Sequence, residues 1–326
     1  MRFRTRQFFG AFIVFLGFIL VLPGSGQYRE YLLYGKVIDT QKNPLEGVEM
    51  VLLDIATSRR YFIKTNKKGE FKFAGLPHGT YKVTFKKEGF APKEDEWKFE
   101  TPQDTMQKVE IPPVTLVSQE LVEKQAFMKE MQGAIKEAFE KIRQKDYDGA
   151  IAILKDVLAK DPKDSNALYL IGLAYSKKRM CPEAIDALTQ VTQLVPKFPP
   201  AYFELAVCYQ KQNDPEKALE NYQKNLDLDP NNPDSAYNSG LILFGMNRVD
   251  ESLARFEKAL TVRPDDPAYL EMAGRCYIHQ ANFPKAIEYL EKAKAGYTDQ
   301  EKVKFLDDLI VKLKEQIKLQ QQRNRT

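Results

Sequence analysis

The side chains that most often carry metal, redox or nucleophilic chemistry are scarce in this chain, which has two histidines and three cysteines. The cysteines, Cys181, Cys208 and Cys276, are odd in number and scattered through segments with helical periodicity. This spacing is neither that of a disulfide framework nor that of a metal site. We therefore expect the cysteines to be buried free thiols.

Sequence motifs for catalysis are missing as well. The sequence contains no phosphate-cradling glycine loop, serine nucleophile elbow, paired-cysteine metal motif or dinucleotide fingerprint. Carboxylates and lysines are plentiful, but on the helical segments they alternate in the manner of solvated faces. We therefore predict no catalytic residue, no metal site and no cofactor, and we expect the protein not to be an enzyme.

Composition and charge are those of an ordinary globular protein. The 326 residues are 43% hydrophobic and 29% charged, which argues against global disorder. The formal net charge of +4 comes largely from Arg2, Arg4 and Arg6, since without them the 49 basic residues fall to 46, against 45 acidic ones. A nearly neutral body argues against a nucleic-acid partner.

Residues 1–26 have the pattern of an export signal. The three arginines precede an apolar run from Phe8 to Leu22, and Pro23-Gly24-Ser25-Gly26 then offers small residues for cleavage. The run is shorter than the roughly 20 residues that span a bilayer, so cleavage is favoured over a retained anchor at residues 8–22. We expect an exported protein of the periplasm or cell envelope, which contacts a membrane only if this segment is uncleaved.

The C-terminal half repeats every 34 residues. Two columns of small residues and one column of prolines stay in phase with this period. They are Ala138, Gly172, Ala206, Gly240 and Gly274; Ala150, Ala184, Ala218, Ser252 and Ala286; and Pro162, Pro196, Pro230 and Pro264. Small side chains let two helix axes approach closely, and proline ends a helix. Each unit is therefore predicted to be a pair of amphipathic helices.

This pattern resembles the tetratricopeptide repeat. The segments 168–175 and 182–185, Leu-Tyr-Leu-Ile-Gly-Leu-Ala-Tyr and Pro-Glu-Ala-Ile, match it most clearly, and the resemblance covers residues 131–298. It implies five helical hairpins stacked as an all-α superhelical solenoid. The first unit departs from the pattern at Lys141, where a tyrosine is expected, and the fifth at Thr298, where a proline is expected. Terminal units of solenoids are often atypical in this way.

Residues 299–326 follow the last unit and include an amphipathic segment. Its apolar residues Val303, Leu306, Ile310, Leu313 and Ile317 lie on one helical face. Such a face suits a capping helix over the apolar surface of the last unit. The alternative is one strand of a coiled-coil dimer, which is disfavoured because fewer than three heptads are present.

Residues 27–117 have a different texture, with short apolar or alternating runs broken by turn residues. Seven runs indicate strands, at residues 31–39, 48–55, 60–65, 70–73, 81–86, 96–100 and 109–116. Asparagine, glycine and proline between the runs are typical of hairpin turns. Seven short strands predict an all-β sandwich.

The segments 35–39, 44–48 and 69–81, with Gly-Lys-Val-Ile-Asp, Pro-Leu-Glu-Gly-Val and Gly-Glu-Phe-Lys-Phe-Ala-Gly-Leu-Pro-His-Gly-Thr-Tyr, resemble the carboxypeptidase regulatory-like, transthyretin-type sandwich. The resemblance implies a folding, contact or surface-attachment module and not the peptidase. A zinc carboxypeptidase needs a histidine separated by two residues from a glutamate, plus a distant histidine, and neither His78 nor His279 is followed by a glutamate at that spacing. We expect His78 to be a turn residue. Residues 118–130 are predicted to form a helical linker to the repeats.

In tetratricopeptide solenoids the first helices of the units line a concave groove that takes peptides. The resemblance assigns that role here to Phe139, Arg143, Tyr169, Leu173, Lys177, Phe203, Val207, Lys211, Tyr237, Leu241, Phe244, Arg275 and His279, with Ile135, Ile142 and Glu271 in the same columns. Aromatic residues interspersed with basic ones are typical of peptide-binding hot spots. We expect an apolar protein or peptide ligand that carries acidic groups, with inter-helix packing as the alternative role for individual aromatic residues.

Two functions are compatible with these features. The first is an extracytoplasmic adaptor or assembly scaffold, which binds a polypeptide through residues 131–298 while the sandwich contacts the envelope or a second partner. The alternative is an envelope- or carbohydrate-binding accessory module of a secretion or polymer-degradation system, in which Trp97 and Tyr81 stack on sugar. A lone tryptophan in a strand is more often part of a core, which disfavours the alternative.

Overall fold

The computed structural model describes residues 30–100 and 106–323. The predicted export signal or anchor, residues 1–26, lies outside the described residues and stays a prediction. The chain divides into two compact units after Glu130. Among the described residues, no helix is both long enough and apolar enough to span a bilayer.

The described residues of the N-terminal unit form two β-sheets. Their strands are β1 Glu30–Ile38, β2 Glu49–Asp54, β3 Arg60–Lys64, β4 Glu70–Leu76, β5 Gly79–Lys86, β6 Lys93–Phe99, β7 Met106–Glu110 and β8 Val114–Thr115. One sheet has the order β4-β1-β7, with β8 also paired to β1, and the other has the order β3-β2-β5-β6. Strand β1 is antiparallel to β4 and parallel to β7 and β8. The all-β sandwich is confirmed, with eight described strands in place of about seven.

The additional strand lies where the sequence pattern predicts one strand over residues 109–116. The structure has β7 and β8 there instead, with Pro112 and Pro113 between them. Proline has no backbone N–H to donate to a neighbouring strand, so it interrupts the ladder. Both short strands still pair with β1, which keeps the sheet continuous across the interruption.

Alternate residues of the two sheets fill one core, as the period of a strand requires. In β5, Tyr81, Val83 and Phe85 are fully buried, and the ring of Trp97 in β6 lies against those of Phe71 and Phe85. Trp97 is 1% exposed and Tyr81 is 0% exposed, so neither ring has a face free for a sugar. The predicted sugar-stacking role of these two residues is therefore wrong. His78 lies in the short β4–β5 connection, as expected of a turn residue.

The described residues of the second unit are helical, and α1 spans the division between the units. The helices are α1 Gln119–Arg143, α2 Tyr147–Lys160, α3 Ser165–Lys177, α4 Cys181–Leu194, α5 Pro199–Lys211, α6 Pro215–Leu228, α7 Pro233–Gly245, α8 Val249–Val262, α9 Pro267–His279, α10 Phe283–Gly296 and α11 Gln300–Arg323. The first ten pair as the five predicted hairpins, α1 with α2 through α9 with α10. Each repeat unit therefore consists of a first helix and a second helix. The predicted all-α solenoid is confirmed.

The small-residue columns are explained by contacts within each hairpin. The second helices bury one large side chain per unit, Leu154, Leu188, Tyr222, Phe256 and Leu290, each 0% exposed. A Cβ added to Gly240 would lie 2.7 Å from Cε1 of Phe256, and one added to Gly172 would lie 2.7 Å from Cγ of Leu188. Glycine is therefore required wherever the opposing side chain approaches the first helix this closely.

The turn inside each hairpin contains one residue in the left-handed conformation. Lys145, Arg179, Asn213, Asn247 and Ala281 are spaced by the repeat and have φ of 63°, 62°, 59°, 60° and 54°. In the second repeat unit, α3 with α4, the N–H of Arg179 donates to the carbonyl of Ser176, and that of Met180 donates to the carbonyl of Tyr175. This is the Schellman arrangement, which satisfies the last carbonyls of a helix and redirects the chain.

The last helix caps the solenoid within the chain. Leu306, Ile310 and Leu313 of α11 are buried in the same cluster as Leu290 and Ala293 of α10. The apolar face predicted for residues 300–319 thus covers the last hairpin. The cysteines Cys181, Cys208 and Cys276 are buried and free, which confirms the prediction made for them.

Candidate peptide-binding groove

All thirteen predicted groove residues lie on the first helices of the five units, α1, α3, α5, α7 and α9. None of them is fully buried, and first helices of neighbouring units contact each other, α3 with α5 and α7 with α9. The side chains therefore recur along adjacent helices. We call these thirteen residues, together with Ile135 and Ile142, the first-helix surface.

The aromatic residues of this surface are partly packed and partly open. Tyr169 lies edge-on to Phe198 with ring centroids 4.9 Å apart, and Tyr237 stacks on Tyr269 at 4.7 Å. Phe139 of α1 is more open, with 45% of its surface exposed. Each packed ring is thus held by at least one neighbouring ring while it remains half-buried, which gives rigid apolar contact area at low entropic cost.

Burial and charge keep Tyr169 in its neutral form. Desolvation by burial, with a smaller contribution from the nearby carboxylate of Glu204, raises the pKa of Tyr169 to about 12. Its hydroxyl is consequently protonated at every physiological pH. The ring presents an apolar surface with an uncharged polar edge.

The basic residues of the first-helix surface have acceptors within the repeats. Lys177 Nζ lies 3.0 Å from Glu204 Oε1, and Arg143 Nη1 lies 3.1 Å from Glu140 Oε2. Lys211 donates to the carbonyl oxygen of Ser176 at 3.1 Å. Their positive charge is therefore partly compensated inside the protein and is not all available to an acidic ligand.

Glu204 is a buried carboxylate that the sequence patterns do not single out. It is 5% exposed, and its Oε2 accepts a hydrogen bond of 2.7 Å from the hydroxyl of Ser176. With Lys177 on the other oxygen, the carboxylate is hydrogen-bonded on both sides. At the same position the other repeat units have Lys136, Leu170, Asn238 and Met272. Because this column mixes polar and apolar residues, the sequence carries no signal that could have identified Glu204.

Glu271, expected to line the groove, is buried instead. It is 4% exposed and accepts hydrogen bonds from Arg275, from the hydroxyl of Tyr297 at 2.9 Å and from Lys302 at 3.0 Å. Burial alone would raise the pKa of Glu271, but these hydrogen bonds outweigh it and lower the pKa. The guanidinium of Arg275 also lies 5.6 Å from the ring of Phe305 in α11. The start of α11 therefore occupies part of the surface of the fifth unit.

A depression of 410 Å³ opens between the second, third and fourth units. Its lining includes Tyr169 and Phe203 of the first-helix surface, Glu204, and a group that sequence reasoning did not select: Leu228, Asp229 and Asn232. Leu228 belongs to an exposed apolar column at the ends of second helices, with Leu194 and Val262 at the same repeat position. This apolar column is the sequence pattern from which this part of the surface could have been predicted. Among the described residues, no group of three side chains is arranged to hold a metal ion.

Comparison with known families identifies both units. A carboxypeptidase regulatory-like domain model matches residues 33–112, and tetratricopeptide repeat models match residues 135–180, 166–197, 199–232 and 237–301. The chain is a tetratricopeptide repeat protein with an N-terminal carboxypeptidase regulatory-like domain. Both resemblances drawn from the sequence are thereby confirmed. No curated protein matches the chain as a whole or in part.

Several solved tetratricopeptide repeat structures superpose on part of the chain. MamA matches with 25% identity over 49% of this chain and 97% of its own, with a TM-score of 0.46. A MamA fragment from Desulfovibrio magneticus RS-1 matches with 18% identity over 50% of this chain and 92% of its own, with a TM-score of 0.47. YrrB, described as a TPR protein with an unusual peptide-binding site, matches with 23% identity over 56% of this chain and 98% of its own, with a TM-score of 0.49.

Proposed function

We propose that this protein is a non-enzymatic adaptor or assembly scaffold that works outside the cytoplasm and binds a polypeptide on the first-helix surface. The observation that carries the proposal is the row of half-buried aromatic and aliphatic side chains on adjacent first helices. Tyr169, Phe203 and Tyr237 recur in one column, and Leu173, Val207 and Leu241 in the next. Tetratricopeptide units are protein-interaction modules, and rigid apolar anchors of this type supply most of the free energy of binding at such interfaces.

The extracytoplasmic location rests on residues 1–26, whose basic start, apolar run and small residues are those of an export signal. The sandwich would then contact the envelope or a second partner. N-terminal sequencing of the protein from its native cells, after fractionation, tests this part. A mature N-terminus near residue 27 in an extracytoplasmic fraction is expected, and an intact Met1 in the cytosol would contradict it.

Site-specific photo-crosslinking tests the binding surface. A photoreactive phenylalanine analogue at Phe139, which is 45% exposed on the first-helix surface, should yield a discrete crosslinked polypeptide. The same group at Val311, which is 54% exposed on α11, is the matched control and should not. Changing Phe203 to Ala in the Phe139 crosslinking variant should weaken capture of the same polypeptide. Equal capture from both crosslinking positions, or capture insensitive to Phe203→Ala, would show that the ligand binds elsewhere.

A further inference from the structure

The depression between the second, third and fourth units differs from the equivalent place one repeat further along. There, Arg263 stands at the position of Asp229, Asp234 at that of Pro200 and Tyr269 at that of Ser235. Nη1 of Arg263 lies 3.0 Å from Asp234 Oδ1 and donates to the hydroxyl of Tyr269 at 3.0 Å, and its guanidinium lies 6.0 Å from the centre of that ring. An internal guanidinium, a carboxylate and an aromatic ring thus come together at this position of the fourth and fifth units.

In the depression, the group of arginine, carboxylate and tyrosine is absent, and the carboxylate of Asp229 stands at the position of Arg263. Asp229 is shorter than arginine and of opposite charge, and Ser235 is too small to replace the tyrosine ring. Asp229 Oδ2 accepts a hydrogen bond of 3.3 Å from Asn232. Its Oδ1 accepts none from the residues that the structure describes. The depression is therefore open, and Oδ1 of Asp229 in its lining is still able to accept a hydrogen bond.

The electrostatics of the lining favour a cation over an anion. No lysine, arginine or histidine is among its lining residues, while Asp229 and Glu204 both are. Lys177, just outside the lining, compensates Glu204, which leaves the charge of Asp229. Helix α5 begins with Pro199 and Pro200 at the edge of the depression, and proline has no N–H to offer an anion.

The walls suit the long apolar stem of a basic side chain. The rings of Tyr169 and Phe203 line one part of the depression, and Leu228, 37% exposed, lines another. Lysine and arginine cover apolar surface with their methylene groups while the charged end reaches an acceptor, and their cations are attracted to aromatic faces.

We propose that this depression is a specificity subsite that binds a lysine or arginine side chain of the polypeptide ligand, with Asp229 pairing the cation and Tyr169, Phe203 and Leu228 holding the stem. The subsite rests on the proposed function, because it lies beside the first-helix surface and shares Tyr169 and Phe203 with it. It changes the expected ligand from one that carries acidic groups to one that places a basic side chain among apolar neighbours.

Peptide selection with matched variants tests the subsite. A random dodecapeptide library displayed on phage is selected in parallel on the full chain, on its Asp229→Asn variant and on Asp227→Asn. Asp227 lies in the last turn of α6, two residues before Asp229, is exposed and does not line the depression, so its removal controls for loss of a negative charge. Lysine or arginine should be enriched at one position with the unmodified chain and with Asp227→Asn, and not with Asp229→Asn. Circular dichroism melting of each variant establishes that the fold is retained.

A selected peptide then provides a direct measurement. Replacing its basic residue by norleucine, which keeps the stem and removes the charge, should weaken binding to the unmodified chain by about fivefold in fluorescence anisotropy, the scale of a partly exposed ion pair with a cation–π contact. The same replacement should leave binding to Asp229→Asn nearly unchanged. A glutamate in that position should be rejected by the unmodified chain and accepted by Asp229→Lys.

The outcomes separate this inference from the proposed function. Selected peptides whose binding is lost with Phe203→Ala, but which carry no enriched basic residue or bind equally well with norleucine, would overturn the subsite and leave the binding surface intact. Failure of the unmodified chain to select any peptide would count against both.

Discussion

The two units of this protein use aromatic side chains in opposite ways. In the sandwich, Trp97, Tyr81 and Phe85 are at most 1% exposed and belong to a single core. In the repeats, Tyr169, Phe203, Tyr237 and Phe244 of the first-helix surface are only half-buried, and Phe139 is 45% exposed. Rings of the same kind thus stabilise one unit and form an accessible surface on the other.

The difference follows from how each architecture completes its interior. Two packed sheets have one interior, so every large apolar residue that faces inward must share it. The described residues of the repeats instead form several smaller clusters, each built from neighbouring helices. Inside a hairpin, one small and one large residue, such as Gly240 and Phe256, already fill the space between the helices. The aromatic residues of the first-helix surface keep part of their surface exposed.

The largest expected effect is the loss of a ring from the sandwich core. Replacing Phe85, which is 0% exposed, by Ala should lower the free energy of unfolding of this unit by about 3–5 kcal/mol, through lost burial and the cavity left behind. Trp97 is the only tryptophan and its ring lies 5.9 Å from that of Phe85, so its fluorescence during urea unfolding reports on this unit.

Two exposed phenylalanines are the controls for Phe85→Ala. Phe62 is 70% exposed on β3 and Phe139 is 45% exposed on α1. Each should tolerate alanine with a change of about 0.5 kcal/mol or less, as is usual for surface positions. A loss from Phe139→Ala as large as that from Phe85→Ala would mean that the first-helix surface is part of a core, and the contrast between the units would fail.

A smaller effect is expected from crowding the glycine column of the repeats. An alanine at Gly240 would place its Cβ 2.7 Å from the ring of buried Phe256, and we expect a loss of about 1–3 kcal/mol in the free energy of unfolding. The helical circular dichroism signal during urea unfolding measures it. Gly245 on the same helix has no atom within 4 Å of such a Cβ, so Gly245→Ala should leave stability unchanged or raise it slightly. Equal effects at the two glycines would show that helix propensity, and not the contact with Phe256, determines the column.

The fold of the repeats was predictable because it is encoded redundantly. Three columns in phase locate every hairpin. Pro162 and its three equivalents mark the ends of the first four second helices, each of which ends two residues before the proline. The sandwich was less constrained, since its strands are short and no period links them. Only the prolines at 112 and 113 distinguish β7 and β8 from the single strand that the apolar pattern predicts.

The positions of the candidate-site residues on the helices could be predicted from the sequence, but the pairing of their charges could not. Columns place a residue on a helix face, so Tyr169, Phe203 and Phe139 lie where the period requires. They do not reveal which side chains pair across repeats, and the partners of Lys177 and Glu271 are 27 and 31 residues away in Glu204 and Lys302. The expectation of a ligand with acidic groups was based on the basic residues of the first helices alone. It therefore did not include the ion pairs of Lys177 with Glu204 and of Arg275 with Glu271.

The smallest expected effect concerns the left-handed turn residue that recurs in every hairpin. Ala281 has φ of 54°, a conformation in which its Cβ is crowded by the backbone, and glycine removes that strain. Ala281→Gly should therefore raise the free energy of unfolding by about 1 kcal/mol in urea titrations that follow the helical signal. Asn213 has φ of 59° at the same position of another unit, but asparagine adopts this conformation more readily, so Asn213→Gly should gain less. A loss of stability at Ala281 would show that the entropy of the unfolded glycine chain outweighs the relief of strain, and that this turn, unlike the glycine column, does not limit the stability of the repeats.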